Sequence, residues 1–351
     1  MMSYEEFVSK LKEELEKSLG NEMVKVMITN DLQENNHMNG YGVIIRNLVY
    51  NISPVIRLND FYQDYTKGRV FSNIVNQICE IYKEHIPKED FDVSKILKFE
   101  NAKDHIVARL YGTENNAAFL SGKPYTPVED LVVTYYIHLG YQDESLMSVP
   151  ITEELRKIYG ISTEELHELA MKNTLRIFPP QLQSMKDLMG NLMREDIMRE
   201  FEIPMEEAEE LIKDRFDSEL PMYVLTNPEK LYGAISVLSP DTMDAIAKEV
   251  GEKFYVIPSS VHECLILPMN DTYSLRELEQ MVKEVNLTEV PENDILSWYM
   301  YQVDAKHHVF LRSDRAQEYE ELLREKEKQK EKQEHIEKQE QELRKAPKPR
   351  I

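Results

Sequence analysis

The stretch from Pro221 to Arg312 constrains this chain more than any other, because cap and turn residues punctuate it at each element boundary. PMYVLTN and GAISVLS read as strands joined by a short turn. Ser239-Pro240 then opens the helix DTMDAIAKEVG, since proline suits the first helical position, and Gly251 lies just past its end. FYVIP and ECLILP follow as a second strand pair. Ser274, with Glu277 three residues later, makes a capping box at the start of SLRELEQMVKEVN. ILSWYMYQV and HHVFL close the block as another hairpin. Two strands and a helix, twice over, then two strands predict a mostly antiparallel sheet with helices packed on one side.

The chain before this block follows similar rules. Phe7, Leu11, Leu15 and Leu19 recur every four residues and make one helical stripe, which Gly20 stops. MVKVMITND alternates with period two and, across the turn-rich ENNHMNG, pairs with GYGVIIRN; a third strand spans Asn51 to Leu58. Val70, Ile74, Ile78 and Ile81 then share a helix face with Cys79, which reads as core filler. From Lys103, the runs KDHIVARLYG, DLVVTYYIHLG and SLMSVP are strand-like, the middle one apolar on both faces and so central. Thr152 caps one helix and Ser162 or Thr163 a second, which Phe178-Pro179-Pro180 ends. A helix from Gln181 carries Met185, Met189 and Met193, a stripe expected to be core, with an adaptable peptide groove as the alternative. The fold class is α+β, with at least two lobes and a long charged C-terminal helix. Its regions are 1–100, 101–220, 221–312 and a tail, 313–351.

The runs MYVLTNPEKLYGAISVL, FYVIPSSVHECLILP, DLVVTYYIHLGY and HELAMKNTLRIFPPQ resemble the bacterial family known as domain of unknown function 5688, found mainly in gut Firmicutes. The likeness extends from MNGYGVIIRN through SPVIRLNDFYQDYTKG to about residue 311. It implies the fold and a bacterial source; it brings no activity and no catalytic residues.

Chemistry must therefore come from the residues. Ser259, Ser260, His262 and Glu263, with Cys264 beside them, are the one place where a nucleophile and a base adjoin. On a strand, His262 and Cys264 stand about 7 Å apart at about 3.3 Å per residue, too far for a direct bond. No glycine-flanked nucleophile elbow is present. The favoured reading is a turn whose serines bond their own backbone while Cys264 packs inward. His167-Glu168 and His262-Glu263 each begin H-E-x-x-H, but Met171 and Ile266 replace the second histidine. Neighbouring His307 and His308 point to opposite faces of a strand. SGKPYT has a Gly-Lys pair without a preceding glycine-rich loop. No metal and no cofactor is expected.

Charge decides which partners fit. Before Arg315 the chain holds 31 Lys and Arg against 54 Asp and Glu, an excess of 23 acids. Such a surface repels nucleic acid and anionic lipid, because binding a polyanion depends on cations displacing its counterions. The longest apolar run is about half the roughly 20 residues of a membrane helix. An acidic N-terminus and two distant cysteines point to the cytoplasm. The tail from Arg315 carries Glu-to-Arg and Glu-to-Lys pairs at i,i+4, such as Glu320 with Arg324, and reads as an exposed helix too polar for a stable coiled coil by itself. The expected function is a non-catalytic interaction or accessory protein that docks another protein through this arm. The alternative is a hydrolase-type enzyme using the Ser-Ser-Val-His-Glu insert.

Overall fold

The computed structural model describes residues 1–20, 23–53, 55–86, 89–142, 145–212, 221–270, 274–321 and 324. The expected tail helix beyond Arg324 lies outside them.

In the N-terminal lobe, helix α1 (Tyr4–Leu19) starts at a capping box between Ser3 and Glu6 and buries Phe7, Val8, Leu11 and Leu15. Strands β1 (Val24–Glu34) and β2 (His37–Asn47) pair antiparallel, and β3 (Val55–Arg57) adds to β2. Asn36 turns the hairpin at φ +60, a left-handed conformation that asparagine tolerates well. Helices α2 (Asn59–Thr66) and α3 (Phe71–Glu84) complete a separate core in which Ile74, Ile78 and Cys79 meet Phe7, Leu11, Val43 and Ile45.

The second sheet follows the short helices α4 (Ser94–Leu97) and α5 (Phe99–Ala102). Strand β4 (Ile106–Gly112) is buried throughout. After α6 (Ala117–Leu120) come β5 (Tyr125–Val128), β6 (Leu131–Gln142) and β7 (Ser145–Pro150). As expected, β6 is central, pairing with β4, β5 and β7. Strand β5 was hidden from the sequence reading because it is short and contains Pro127, a residue that suits an edge. Helix α7 (Glu153–Tyr159) is capped by Thr152, and α8 (Thr163–Ile177) by a Ser162–Glu165 capping box. Within α8, Thr174 accepts from Ala108 N at 2.8 Å, and Asn173 donates to Ile106 O at 3.0 Å, fixing the helix on β4.

The third sheet has the order β13-β12-β10-β11-β9-β8: β8 (Gln181–Ser184), β9 (Tyr223–Thr226), β10 (Lys253–Ile257), β11 (Cys264–Pro268), β12 (Tyr301–Asp304) and β13 (Val309–Arg312). Helices α9 (Met185–Phe201) and α10 (Met205–Ile212) lead from β8 towards β9. Helix α11 (Pro240–Val250) begins at Pro240 and stops before Gly251, while α12 (Leu275–Thr288) carries the Ser274–Glu277 capping box. Every strand pair described is antiparallel, and the fold is α+β.

Four expectations change. GAISVLS is not a strand: Gly233–Leu238 is a 3₁₀ helix. Its backbone bonds go elsewhere than to a strand edge: Gly233 N donates to His262 O at 2.9 Å, and Ser236 Oγ donates to Gly233 O at 2.8 Å within the coil. The methionine helix begins at Met185, and Gln181–Ser184 is instead the edge strand of the third sheet. Gly190 is the buried residue of α9; Met189 is 39% exposed, so the methionine stripe is not core. His307 and His308 precede their strand: His307 bonds Asp304 and His308 bonds Asp244, each at 2.9 Å. One continuous core runs from Ala102 to Ala305, so the second and third sheets pack as one body beside the N-terminal lobe.

Candidate functional site

The connector between β10 and β11 carries the candidates Ser259, Ser260, His262 and Glu263, and each polar contact it makes is structural. Ser260 Oγ accepts from His262 N at 3.1 Å, and Ser260 N donates to Glu263 O at 3.1 Å. His262 O accepts from both Gly233 N and Thr226 Oγ1. The imidazole accepts from Tyr232 N through Nδ1 at 3.1 Å, which leaves the proton of the neutral ring on Nε2, 3.4 Å from Asp294 Oδ1. Both ring nitrogens are thus turned to partners other than a serine. Cys264 is 1% exposed, and burial pushes its thiol far above the ordinary range, so it is inert as a nucleophile.

Beside this connector, where the two lobes meet, lies a cavity of about 380 Å³. The N-terminal lobe supplies Asn35 and Arg57; β4 supplies Arg109 and Tyr111; β6 and β7 supply Tyr136 and Ser148; the third sheet's loops supply Tyr232, Val261, Asn293 and Asp294. Lys123 and Phe119 close another side. Sites between lobes are where ligands are most often held.

Arg109 is the centre of this cavity. It is 6% exposed, and it shares a strand face with Tyr111 because alternate residues point the same way. Its guanidinium lies 4.0 Å from the centre of the Tyr136 ring and 3.8 Å from that of Tyr232. One nitrogen donates to Ser148 Oγ at 2.8 Å. Among the described residues no carboxylate pairs with it. Burying a cation costs several kcal/mol. Two ring contacts to a desolvated cation return about 2 kcal/mol or more each, and a bond to a neutral hydroxyl about 1 kcal/mol, which together offset a cost of this order. All three of these partners are neutral, so the guanidinium is held without a counter-charge among the described residues, and its remaining N–H groups are left to donate.

The other charges add to the same sign. Lys123 Nζ stands 3.6 Å above the Phe119 ring, and burial pushes its amine down to about 8. Arg57 reaches the cavity from β3. Among the described lining residues, Arg57, Arg109 and Lys123 are basic and Asp294 is acidic, its Oδ1 3.4 Å from His262 Nε2. Burial also raises the Tyr111 and Tyr136 hydroxyls, so both are neutral donors at physiological pH.

Asparagines hold the lobes around the cavity. Asn35 Nδ2 donates to Asn293 O at 2.7 Å and Asn36 Nδ2 to Ile295 O at 2.7 Å. Fully buried Asn116 links them, accepting from Asn36 N and donating to Asn35 Oδ1 and Gly112 O.

The model of the family of unknown function DUF5688 matches residues 4–304, a span that includes every described wall of the cavity and every strand of the fold but the last, β13. The chain belongs to this family. No curated protein matches it, and no solved structure does. Sequence reasoning passed over Arg109 and Tyr232, and set Lys123 aside because its Gly-Lys pair lacks a preceding glycine-rich loop. The available signal was an arginine inside the otherwise apolar run HIVARLYG, where a strand buried on both faces should carry none.

Proposed function

We propose that this DUF5688 protein is a non-catalytic binding protein whose cavity receives a small molecule bearing a phosphate or carboxylate group. The observation that carries the reading is Arg109, a buried cation whose edge opens on the cavity with no carboxylate to meet it. An anion there forms charge-assisted hydrogen bonds in the guanidinium plane, the geometry in which arginine holds carboxylate and phosphate oxygens. Arg57 and Lys123 supply further positive charge, and Tyr111 a hydroxyl. Binding closes the contact between lobes, since the cavity takes walls from both. The expectation of an accessory rather than an enzymatic role is supported by the connector geometry, in which His262 serves Tyr232 N and Asp294. Two buried free cysteines accord with a cytoplasmic setting.

Calorimetric titration with inorganic phosphate, a phosphomonoester and a dicarboxylate tests the reading. Wild type is expected to bind at least one of them, and Arg109→Met, which keeps the stem between the two rings, is expected to weaken it about tenfold or more. Equal affinity of Arg109→Met and wild type for every bound anion contradicts the proposal.

A further inference from the structure

Helix α9 leaves its apolar side only partly covered. Met185, Met189, Met193, Ile197 and Phe201 recur every four residues and form one apolar ridge, yet Gly190 is the one residue of the helix that is buried. Met189 and Leu192 beside it are 39% and 51% exposed, and Phe201 is 62% exposed. Glu202 turns the chain in a left-handed conformation, and α10 returns with Met205 and Leu211 equally open. An Arg194–Glu209 pair at 3.6 Å ties the two helices together. A helix of this length is marginal in water unless packing covers its apolar side. Met185, Met193 and Ile197 between them are half-buried, and a group of exposed apolar side chains such as Met189, Leu192, Phe201, Met205 and Leu211 marks an interaction surface.

Charge selects the occupant. Residues 185–212 contain three Lys and Arg against nine Asp and Glu, on a body already rich in acid. A second copy of this chain would bring the same sign to the same face, and an anionic lipid surface would be repelled. Methionines are flexible and polarizable, and they fit partners of varied shape. The ridge runs about 24 Å at a helical rise of about 1.5 Å per residue, enough for four to five turns of a facing helix.

We infer that the α9–α10 hairpin docks a basic amphipathic helix of a partner protein, whose apolar stripe lies on the Met185–Phe201 ridge and whose lysines and arginines face the acidic flanks. This surface is separate from the Arg109 cavity and stands or falls independently of it.

The test titrates the full chain with a fluorescent synthetic leucine–lysine helix that has one apolar stripe. A peptide of identical composition, scrambled to lose the stripe, is the control. The amphipathic peptide is expected to bind, with the scrambled peptide about tenfold weaker or worse. Met189→Asp and Phe201→Asp, both on exposed positions, are expected to weaken binding by a similar factor while the circular dichroism spectrum is unchanged. Equal binding of the two peptides, no binding of either, or no effect of both substitutions overturns the inference. So does sedimentation showing a wild-type dimer that Met189→Asp dissociates, because a second copy then covers the ridge.

Discussion

Lys123 makes the cavity sensitive to pH, because burial sets its amine near 8. Anion affinity is therefore expected to fall as pH rises through about 8, when Lys123 loses its proton, and a bound anion is expected to draw that pKa back upward. The same lowering makes the empty protein gain stability between about 8 and the ordinary lysine value of 10.5, because only the unfolded chain holds the proton there. Titrating affinity against pH for wild type and Lys123→Met checks this; a profile shared by both proteins assigns the dependence elsewhere. Gly233 makes a second prediction at this scale. A Cβ would lie 2.7 Å from His262 O and 2.8 Å from Thr226 Cα, both backbone, so Gly233→Ala is expected to cost about 1–3 kcal/mol in urea unfolding. A neutral substitution would show that the chain relaxes there freely.

Among the elements, those with strong local grammar were readable in advance. The capping box at Ser274 and the cap at Ser162 start helices where the sequence places them, while the box at Ser3 was not singled out. Removing one, by Ser162→Ala, is expected to cost about 1 kcal/mol of stability, measurable as a lower urea midpoint with the same slope. What local grammar could not carry was tertiary approach. Gly233–Leu238 has strand-like residues, but its neighbours are the His262 connector and Thr226 rather than a strand edge, and it coils. Helix α9 has a core-like stripe but no core above it. The His262 turn was legible because Pro258 and two serines specify a turn wherever they stand, whereas the Arg109 cavity was not, since its walls come from positions as far apart as Asn35 and Asp294. The connector reading predicts that His262→Ala lowers stability by about 1 kcal/mol through the orphaned Tyr232 N–H. Hydrolysis of ester substrates that disappears in His262→Ala while the fold persists would favour the enzymatic alternative.

For the whole molecule, the question is how two cores stay together. Most of the bonds described above between the N-terminal hairpin and the rest converge on Asn35, Asn36 and Asn116. Asn116→Ala leaves two buried partners unmet, and is expected to separate the thermal unfolding of the lobes into two transitions, seen by calorimetry. A single sharp transition would locate the coupling in apolar contact instead. Because the cavity draws Asn35 and Arg57 from one lobe and Arg109 from the other, a bound anion is expected to raise the coupling and merge those transitions again. The most direct measurement is a crystal structure grown with selenate, whose anomalous signal places the anion. The account predicts a selenate peak within hydrogen-bond distance of the Arg109 guanidinium edge, between Tyr136 and Tyr232. Selenate bound elsewhere, with only water at that edge, would contradict it.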